Sequence, residues 1–131
     1  MRCPSASSNG RGPSIASSAV TCITTDIVDA SSPNAAMYSA TKHGMNGLST
    51  AAAREYIGRG IRINTVSPGW VMTERQIKMW LNAEGEADIQ RNQCLPDKLK
   101  PSDVARMVLF LASDDGAMCT AQEFKVDAGW N

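Results

Sequence analysis

The chain has 131 residues, and its 13 lysines and arginines balance its 13 aspartates and glutamates. This length suits one domain with a sizeable core. The formal net charge of zero argues against a surface that binds nucleic acid or an anionic membrane. The longest apolar runs, such as residues 107–112, are far too short to cross a bilayer. We therefore expect a cytoplasmic domain without a nucleic-acid or membrane partner.

The cysteines predict free thiols and not a metal site. Four cysteines are widely separated, no C-x-x-C pair is present, and the chain has one histidine, His43. These spacings match no usual zinc site, so we predict no metal. Free thiols are typical of a reducing compartment. His43 follows Lys42 but lies off its helical face, so we do not expect it to act as a general base.

The first half of the chain predicts one strand and one long helix. Residues 1–17, rich in serine, are interpreted as a flexible lead-in, and residues 18–131 as the folded domain. β-Branched residues at 19–25 indicate a short buried strand. Apolar residues at helical spacing, starting just after Pro33, indicate a helix over residues 34–57. Glycines and alanines make one surface of this helix smooth, which favours close packing against another backbone.

The second half predicts two more strands and two helical regions. Residues 61–67 form a strand that ends at a Pro-Gly turn. Residues 73–99 have scattered charge, and we interpret them as a helical lid outside the core. Its expected apolar anchors are Ile77, Met79, Trp80 and Leu81. Pro101 opens a helix with a wide apolar face, and alternation at residues 123–127 indicates a last strand.

The predicted elements follow the order strand, helix, strand, lid, helix, strand. Strands that alternate with helices predict an α/β fold with a parallel sheet and right-handed crossovers. Three strands are predicted, and no internal repeat is visible in the sequence.

Tyr38 and Lys42 are the most informative pair of residues in the chain. They are four positions apart within the predicted helix, so their side chains lie on one face, one above the other. A free phenol titrates near pH ~10 and is a poor acid or base at neutral pH. An ammonium held close to a phenol favours its ionised form. The pair is therefore a candidate for proton transfer.

Four segments together resemble the C-terminal half of classical short-chain dehydrogenases/reductases. They are the Y-x-x-x-K motif at residues 38–42 and the segments 60–69, 108–114 and 126–130. The resemblance implies part of a Rossmann-like, doubly wound parallel sheet. A closer likeness, over residues 73–76, 84–87, 93–95 and 127–130, is to the aldose 1-dehydrogenases of the family, which oxidise sugars such as xylose, arabinose or galactose at C1.

The resemblance implies a catalytic role for three residues. In such enzymes the tyrosine, here Tyr38, is the acid/base for the substrate hydroxyl, and the lysine, here Lys42, supports it and binds the nicotinamide ribose. The family serine lies 13 residues before the tyrosine, where this chain has Thr25. Threonine offers the same hydroxyl donor and acceptor, although its methyl group restricts χ1. Ser18 is the rival candidate.

The resemblance also implies cofactor and substrate contacts in the turn after the second strand. Pro68, Gly69, Val71 and Thr73 match the family segment that holds the nicotinamide carboxamide of NAD or NADP. Gly69 is expected to let the backbone approach the ring, and Pro68 to fix the turn. Trp70 and Trp80, with Met72 and Met79, are candidates for lining a substrate pocket, and a plain lid core is the competing interpretation.

The glycine-rich phosphate loop of the family is not found in the sequence, because Gly10-Arg11-Gly12 has no strand before it and no helix after it. Binding of NAD or NADP by this chain alone is therefore in doubt. Two hypotheses follow. The chain is part of an NAD(P)-dependent oxidoreductase that acts on the CH–OH of a sugar or related small alcohol and forms homo-oligomers through helix 34–57. Alternatively, it is a truncated, non-catalytic remnant that associates with complete family subunits.

Overall fold

The computed structural model describes residues 18–23 and 36–130. Its elements, in chain order, are β1 (Ser18–Ile23), α1 (Ala36–Tyr56), β2 (Ile61–Pro68), α2 (Glu74–Trp80), α3 (Ala83–Asn92), α4 (Pro101–Ala112) and β3 (Glu123–Val126). Single 3₁₀ turns follow α1 and α4, at Ile57–Arg59 and Asp114–Gly116. This α/β order confirms the predicted one. None of the described helices is long and apolar enough to span a membrane.

The described strands form one parallel sheet in the order β1-β2-β3. In β1 and β2, Ser18 lies opposite Ile61 and Ile23 opposite Val66. Pro68 at the end of β2 lies opposite Val126 at the end of β3. All three strands therefore end at the same side of the sheet, called here the carboxyl edge. α1 ends at Tyr56, five residues before β2 begins at the opposite, amino edge. It lies beside β2, so its first turns lie toward the carboxyl edge.

The two long helices pack on opposite faces of the sheet. Successive side chains of a strand point to opposite faces. Val66 of β2 packs in the main core cluster with Leu99, Val104 and Leu111 on the α4 side. Residues Ile63 and Thr65 instead line a cleft with residues of α1. The sheet is thus the middle layer between α1 and α4.

This arrangement corrects the predicted handedness. Both connections move in the same direction across a parallel sheet, from β1 to β2 and from β2 to β3. If both crossovers were right-handed, α1 and α4 would lie on the same face. They lie on opposite faces, so the two crossovers differ in hand and the prediction is wrong for one of them. The connection from β2 to β3 contains the lid and is therefore long. The right-handed rule applies to short connections in which a helix packs directly between two parallel strands.

The lid, residues 73–99, is anchored by residues other than those predicted. Ile77, Met79 and Trp80 expose 47%, 55% and 57% of their surface, so the prediction is wrong for these three anchors, whereas Leu81 is half-buried. Ile89 of α3 is buried, and Leu99 belongs to the main core cluster. The prediction used the apolar character of these residues alone. It failed in α2 because this helix is short and has no buried residue.

Arg62 is a buried arginine in the middle of the fold, only 1% exposed. Its Nη1 donates to the carbonyl oxygens of Gly116 (2.7 Å) and Cys119 (3.0 Å). Its Nη2 donates to the carbonyl oxygen of Leu111 at 2.6 Å, one of the last carbonyls of α4. The guanidinium thus satisfies carbonyls at a helix C-terminus, where a positive charge is also favoured by the helix dipole. Nothing in the sequence analysis identified this role.

Candidate active site

The candidate site lies at the carboxyl edge of the sheet. In open α/β sheets, ligands bind in the crevice outside the carboxyl ends of the strands. The N-terminal turns of α1, with Tyr38 and Lys42, lie toward this edge. The turn that follows Pro68 at the end of β2 starts from the same edge. Topology therefore brings the predicted catalytic pair and the predicted cofactor turn to one side of the sheet.

Tyr38 and Lys42 are close together on α1, as their spacing predicted. The Nζ atom of Lys42 lies over the Tyr38 ring, 5.4 Å from its centroid. This is within the range of a cation–π contact. Tyr38 is 40% exposed and Lys42 is half-buried. The phenol is thus accessible to a ligand while an ammonium is held beside it.

The register of β1 bears on Ser18, one of the two candidates for the predicted third catalytic residue. Ser18 is the first residue of β1 and pairs with Ile61, the first residue of β2, at the amino edge. It lies five residues before the end of the strand, or about 16 Å from the carboxyl edge at ~3.3 Å per residue. This position disfavours Ser18. Thr25, two positions after the last residue of β1, lies outside the described residues, and its role stays a prediction.

Gly69 is a glycine because the end of β3 approaches it. Its N–H donates to the carbonyl oxygen of Val126 at 2.9 Å. A Cβ atom at Gly69 would lie 2.6 Å from the Cα of Asp127, which is closer than real Cβ contacts allow. The family resemblance predicts that this glycine lets the backbone approach the nicotinamide ring. Packing within the chain is by itself a sufficient reason, and contact with a cofactor stays a prediction.

Thr73 is the N-cap of α2. Its Oγ1 accepts a hydrogen bond from the backbone N–H of Gln76 at 3.3 Å, which satisfies one of the open donors at the helix start. Its own N–H donates to the carbonyl oxygen of Val71 at 2.8 Å, and Val71 packs against the main core cluster. A hydroxyl that accepts at a cap keeps its hydrogen as a donor. Thr73 can therefore cap the helix and also donate to a carboxamide.

Trp70 is held in place, whereas Trp80 is open to solvent. The indole Nε1 of Trp70 donates to Oε1 of Gln76 at 3.1 Å. The Trp70 and Trp130 rings meet edge to face, with centroids 6.2 Å apart and planes at 64°. Trp80 is 57% exposed. The sequence did not predict the contacts of Trp70 with Gln76 and Trp130. These residues lie in different segments, and no repeating sequence pattern links one segment to another.

A separate cleft of about 480 Å³ opens between α1 and the β2–β3 side of the sheet. Its lining includes Asn46, Ser49, Arg54, Thr65, Gln122 and Glu123. Neither Tyr38 nor Lys42 lines it. The predicted pair therefore belongs to the open carboxyl edge and not to this cleft.

The described residues fit the nicotinamide end of a dinucleotide. Lys42 offers an ammonium beside the Tyr38 phenol, which suits the hydroxyls of a ribose. The hydroxyl of Thr73 retains a donor for the carboxamide oxygen. Both groups lie on segments that start from the same edge of the sheet.

Comparison with known proteins identifies the family. A family model described as enoyl-(acyl carrier protein) reductase matches residues 10–131. The chain is 48% identical over 94 residues to D-xylose 1-dehydrogenase of Caulobacter vibrioides, covering 72% of this chain and 38% of the relative. It is 40% identical over 97 residues to a probable galactose dehydrogenase of Rhizobium meliloti, covering 74% and 38%. The chain thus spans less than half the length of these relatives.

Solved structures agree with this result. A 4-hydroxyisoleucine dehydrogenase complexed with NADH matches with a TM-score of 0.78 and 30% identity, covering 86% of this chain and 46% of that one. A short-chain type dehydrogenase/reductase from Mycobacterium ulcerans matches with a TM-score of 0.76 and 28% identity, covering 85% and 40%. NAD(P) is the cofactor of the family. As its motifs predicted, the chain belongs to the short-chain dehydrogenase/reductase family.

Proposed function

We propose that these residues are the catalytic part of an NAD(P)-dependent oxidoreductase that acts on the CH–OH group of a sugar or related alcohol. The observation that carries the proposal is the Tyr38–Lys42 pair, with the ammonium 5.4 Å from the ring centroid of an accessible tyrosine. The names of the relatives, D-xylose 1-dehydrogenase and probable galactose dehydrogenase, support a sugar as the substrate class.

Tyr38 is the proposed proton acceptor when the alcohol is oxidised. Its Oη takes the proton of the substrate hydroxyl as the C–O bond gains double-bond character, and it returns a proton in the reverse direction. When bound, NAD(P) would accept the hydride from the carbinol carbon. The ammonium of Lys42, held beside the Tyr38 ring, is proposed to donate to the hydroxyls of the nicotinamide ribose. The hydroxyl of Thr25 is proposed to hold the substrate oxygen by a hydrogen bond.

The turn after β2 is the proposed site for the cofactor and for one wall of the substrate pocket. Pro68, Gly69, Val71 and Thr73 are proposed to contact the nicotinamide end. Trp70 and Trp80 are proposed to lie against the apolar face of the substrate, because aromatic rings offer large, rigid contact surfaces. The fixed position of Trp70 makes it the stronger candidate of the two.

An oxidation assay tests the proposed function. The reduction of NAD and NADP is followed with D-xylose, D-galactose and cyclohexanol, since a cyclohexanol dehydrogenase of Acinetobacter is 40% identical over 98 residues. Two proteins are compared: the 131-residue chain, and a chimera in which residues 18–131 replace the matching part of the Caulobacter vibrioides enzyme. We expect the chimera to oxidise a sugar in preference to cyclohexanol.

The outcomes of this assay are distinct. A chimera that binds NADH and oxidises cyclohexanol but no sugar would contradict the proposed substrate class. A chimera that binds NADH and oxidises none of the alcohols would contradict the dehydrogenase proposal. Activity of the chimera together with inactivity of the 131-residue chain would support the proposal that these residues are the catalytic part of a longer enzyme. An inactive chimera that binds NADH is the result expected from the alternative, in which this chain is a non-catalytic partner of complete subunits.

The outer face of α1 supports association with another family subunit, either a second copy or a complete relative. A Cβ atom at Gly44 or Gly47 would meet no described atom within 4 Å outside its own helix. Leu48 on the same face is 70% exposed. Small residues let two helix backbones approach closely, and an exposed leucine gains free energy on burial. We propose that this face is the subunit interface.

Leu48→Lys is therefore expected to reduce self-association, because a lysine placed in an apolar helix–helix contact would need a partner for its charge. Sedimentation of the chain at several concentrations measures the effect. Met118→Lys is the matched control, since Met118 is 90% exposed but lies after α4, away from this face. Equal sedimentation of both variants and the parent chain would exclude the α1 face as the interface.

A further inference from the structure

The last four described residues, Asp127–Trp130, form a short strap after β3. The Oδ1 atom of Asp127 accepts a hydrogen bond from the N–H of Gly129 at 2.9 Å. Ala128 and Gly129 both have left-handed backbone angles, with φ of 57° and 76°. For alanine this conformation costs roughly 1–2 kcal/mol. This cost is offset by the contacts that the chain makes at the reversal.

The strap binds the C-terminal end of the lid. The carbonyl oxygen of Ala128 accepts hydrogen bonds from the N–H groups of Cys94 and Leu95, each at 3.1 Å. Gln93 and Trp130 form an antiparallel bridge. A Cβ atom at Gly129 would lie 2.8 Å from the Cβ of Cys94. Gly129 is therefore required both by its positive φ and by the approach of the lid.

The same strap also contacts the candidate site. Asp127 packs against Gly69, as described above. The Trp130 ring meets the Trp70 ring edge to face at 6.2 Å, and Trp70 donates to Gln76 of α2. The Cη2 atom of Trp70 lies 3.0 Å from the Cβ position of Gly85 in α3. Four residues thus connect the sheet edge, the end of the lid and the indole proposed to face substrate.

Apart from Leu99, its last residue, which belongs to the main core cluster, the lid has little other attachment to the body of the protein. α2 has no buried residue, and α3 buries Gly85 and Ile89. An element with few buried apolar contacts opens at a low free-energy cost unless other contacts hold it. The backbone hydrogen bonds of the strap and the Trp70–Trp130 contact are such contacts. They act at the end of the lid that is far from its start at Thr73.

We infer that the strap, Asp127–Trp130, positions the lid and that Trp130 fixes the orientation of Trp70. In the proposed enzyme this makes Trp130 a positioning residue for the substrate and not for the cofactor. The inference about the substrate rests on the proposed function, whereas the inference about the lid does not. Two experiments separate them.

The first experiment measures amide hydrogen exchange of the 131-residue chain, parent against Gly129→Ala. We expect exchange to become faster in residues 74–95, with residues 61–68 and 101–112 unchanged. Gly58→Ala is the control, because a Cβ atom there would meet nothing within 4 Å. Unchanged exchange in residues 74–95, or an equal increase throughout the described residues, would overturn the inference about the lid.

The second experiment measures kinetic constants for the sugar in the protein that proves active in the oxidation assay. Trp130→Ala is expected to raise the KM for sugar about three- to tenfold, the range expected from losing one aromatic pair. The KM for NAD(P) and kcat stay within about twofold. Trp130→Phe keeps an aromatic edge and should restore most of the sugar KM. A rise confined to the KM for NAD(P), or no change in the sugar KM, would overturn the role in substrate positioning.

If the parent protein oxidises no alcohol, the proposed function fails and the exchange experiment alone decides the role of the strap. The Trp130→Ala variant is then examined by the same exchange measurement, with faster exchange in residues 74–95 expected and unchanged exchange contradicting the inference. Failure of the strap inference and failure of the proposed function therefore give different results.

Discussion

Replacing Tyr38 by phenylalanine is expected to lower kcat/KM for the sugar by about 10²- to 10⁴-fold, the usual contribution of a positioned general acid/base. The substitution removes only the phenol oxygen and leaves the ring beneath Nζ of Lys42, 5.4 Å from its centroid. The helix and its packing are therefore retained. The assay is the reduction of NAD or NADP in the chimera described above, with NADH binding measured in parallel.

Tyr56→Phe is a closely matched control. Tyr56 is the only other tyrosine, it is the last residue of the same helix, and it also has a cation beside its ring, with Cζ of Arg59 5.5 Å from the centroid. It lies near the amino edge, far from the proposed chemistry. We expect it to keep full activity. A Tyr38→Phe protein that binds NADH and remains as active as the Tyr56→Phe protein would remove Tyr38 from the mechanism.

The sequence was sufficient for those features that depend on local pattern. The Tyr38–Lys42 contact follows from a spacing of four in a helix, which places both side chains on one face. The strands β2 and β3 follow from β-branched and alternating residues bounded by turns. These features were predicted because each is determined by residues that are neighbours in the chain.

Features that depend on contacts between distant segments were not predictable in this way. In the sequence, Arg62 is an ordinary polar residue of an alternating strand. Its hydrogen-bond partners, however, are up to 57 residues away in sequence. The approach of Asp127 from the last segment to Gly69 was likewise not predicted. The Trp70–Trp130 contact joins two turns that share no periodicity. The difference in hand between the two crossovers likewise depends on the faces of the sheet against which α1 and α4 pack.

The candidate site has features that local sequence pattern predicts and features that depend on contacts between distant segments. The order of motifs predicted a catalytic pair and a cofactor turn after β2, and the parallel register explains why these two segments reach one edge. The sequence offered both Thr25 and Ser18 as candidates for the predicted third catalytic residue. The register places Ser18 at the other end of β1, which a count of residues along the chain cannot reveal.

Arg62→Met is expected to lower the free energy of unfolding by about 3–5 kcal/mol. Methionine fills much of the same volume, so the main loss is of the three charged hydrogen bonds to the carbonyls of Leu111, Gly116 and Cys119. The Gly116 and Cys119 carbonyls keep a second donor, from the N–H of Cys119 and from Nδ2 of Asn64. Hydrogen bonds to a charged group contribute about 1.5–3 kcal/mol each, and a buried acceptor left without a donor costs about 1–3 kcal/mol. Urea unfolding followed by circular dichroism measures the change.

Two further variants separate charge from geometry at this position. Arg62→Lys keeps the positive charge near the end of α4 but replaces the planar fork by a single ammonium, which cannot reach all three carbonyls with the same geometry. We expect it to be destabilised less than Arg62→Met but clearly more than Arg75→Met, an exposed position on α2 where a change within about 0.5 kcal/mol is typical. Equal stability of Arg62→Met and Arg75→Met would contradict the proposed role, because the three hydrogen bonds of the buried guanidinium cannot be lost without cost.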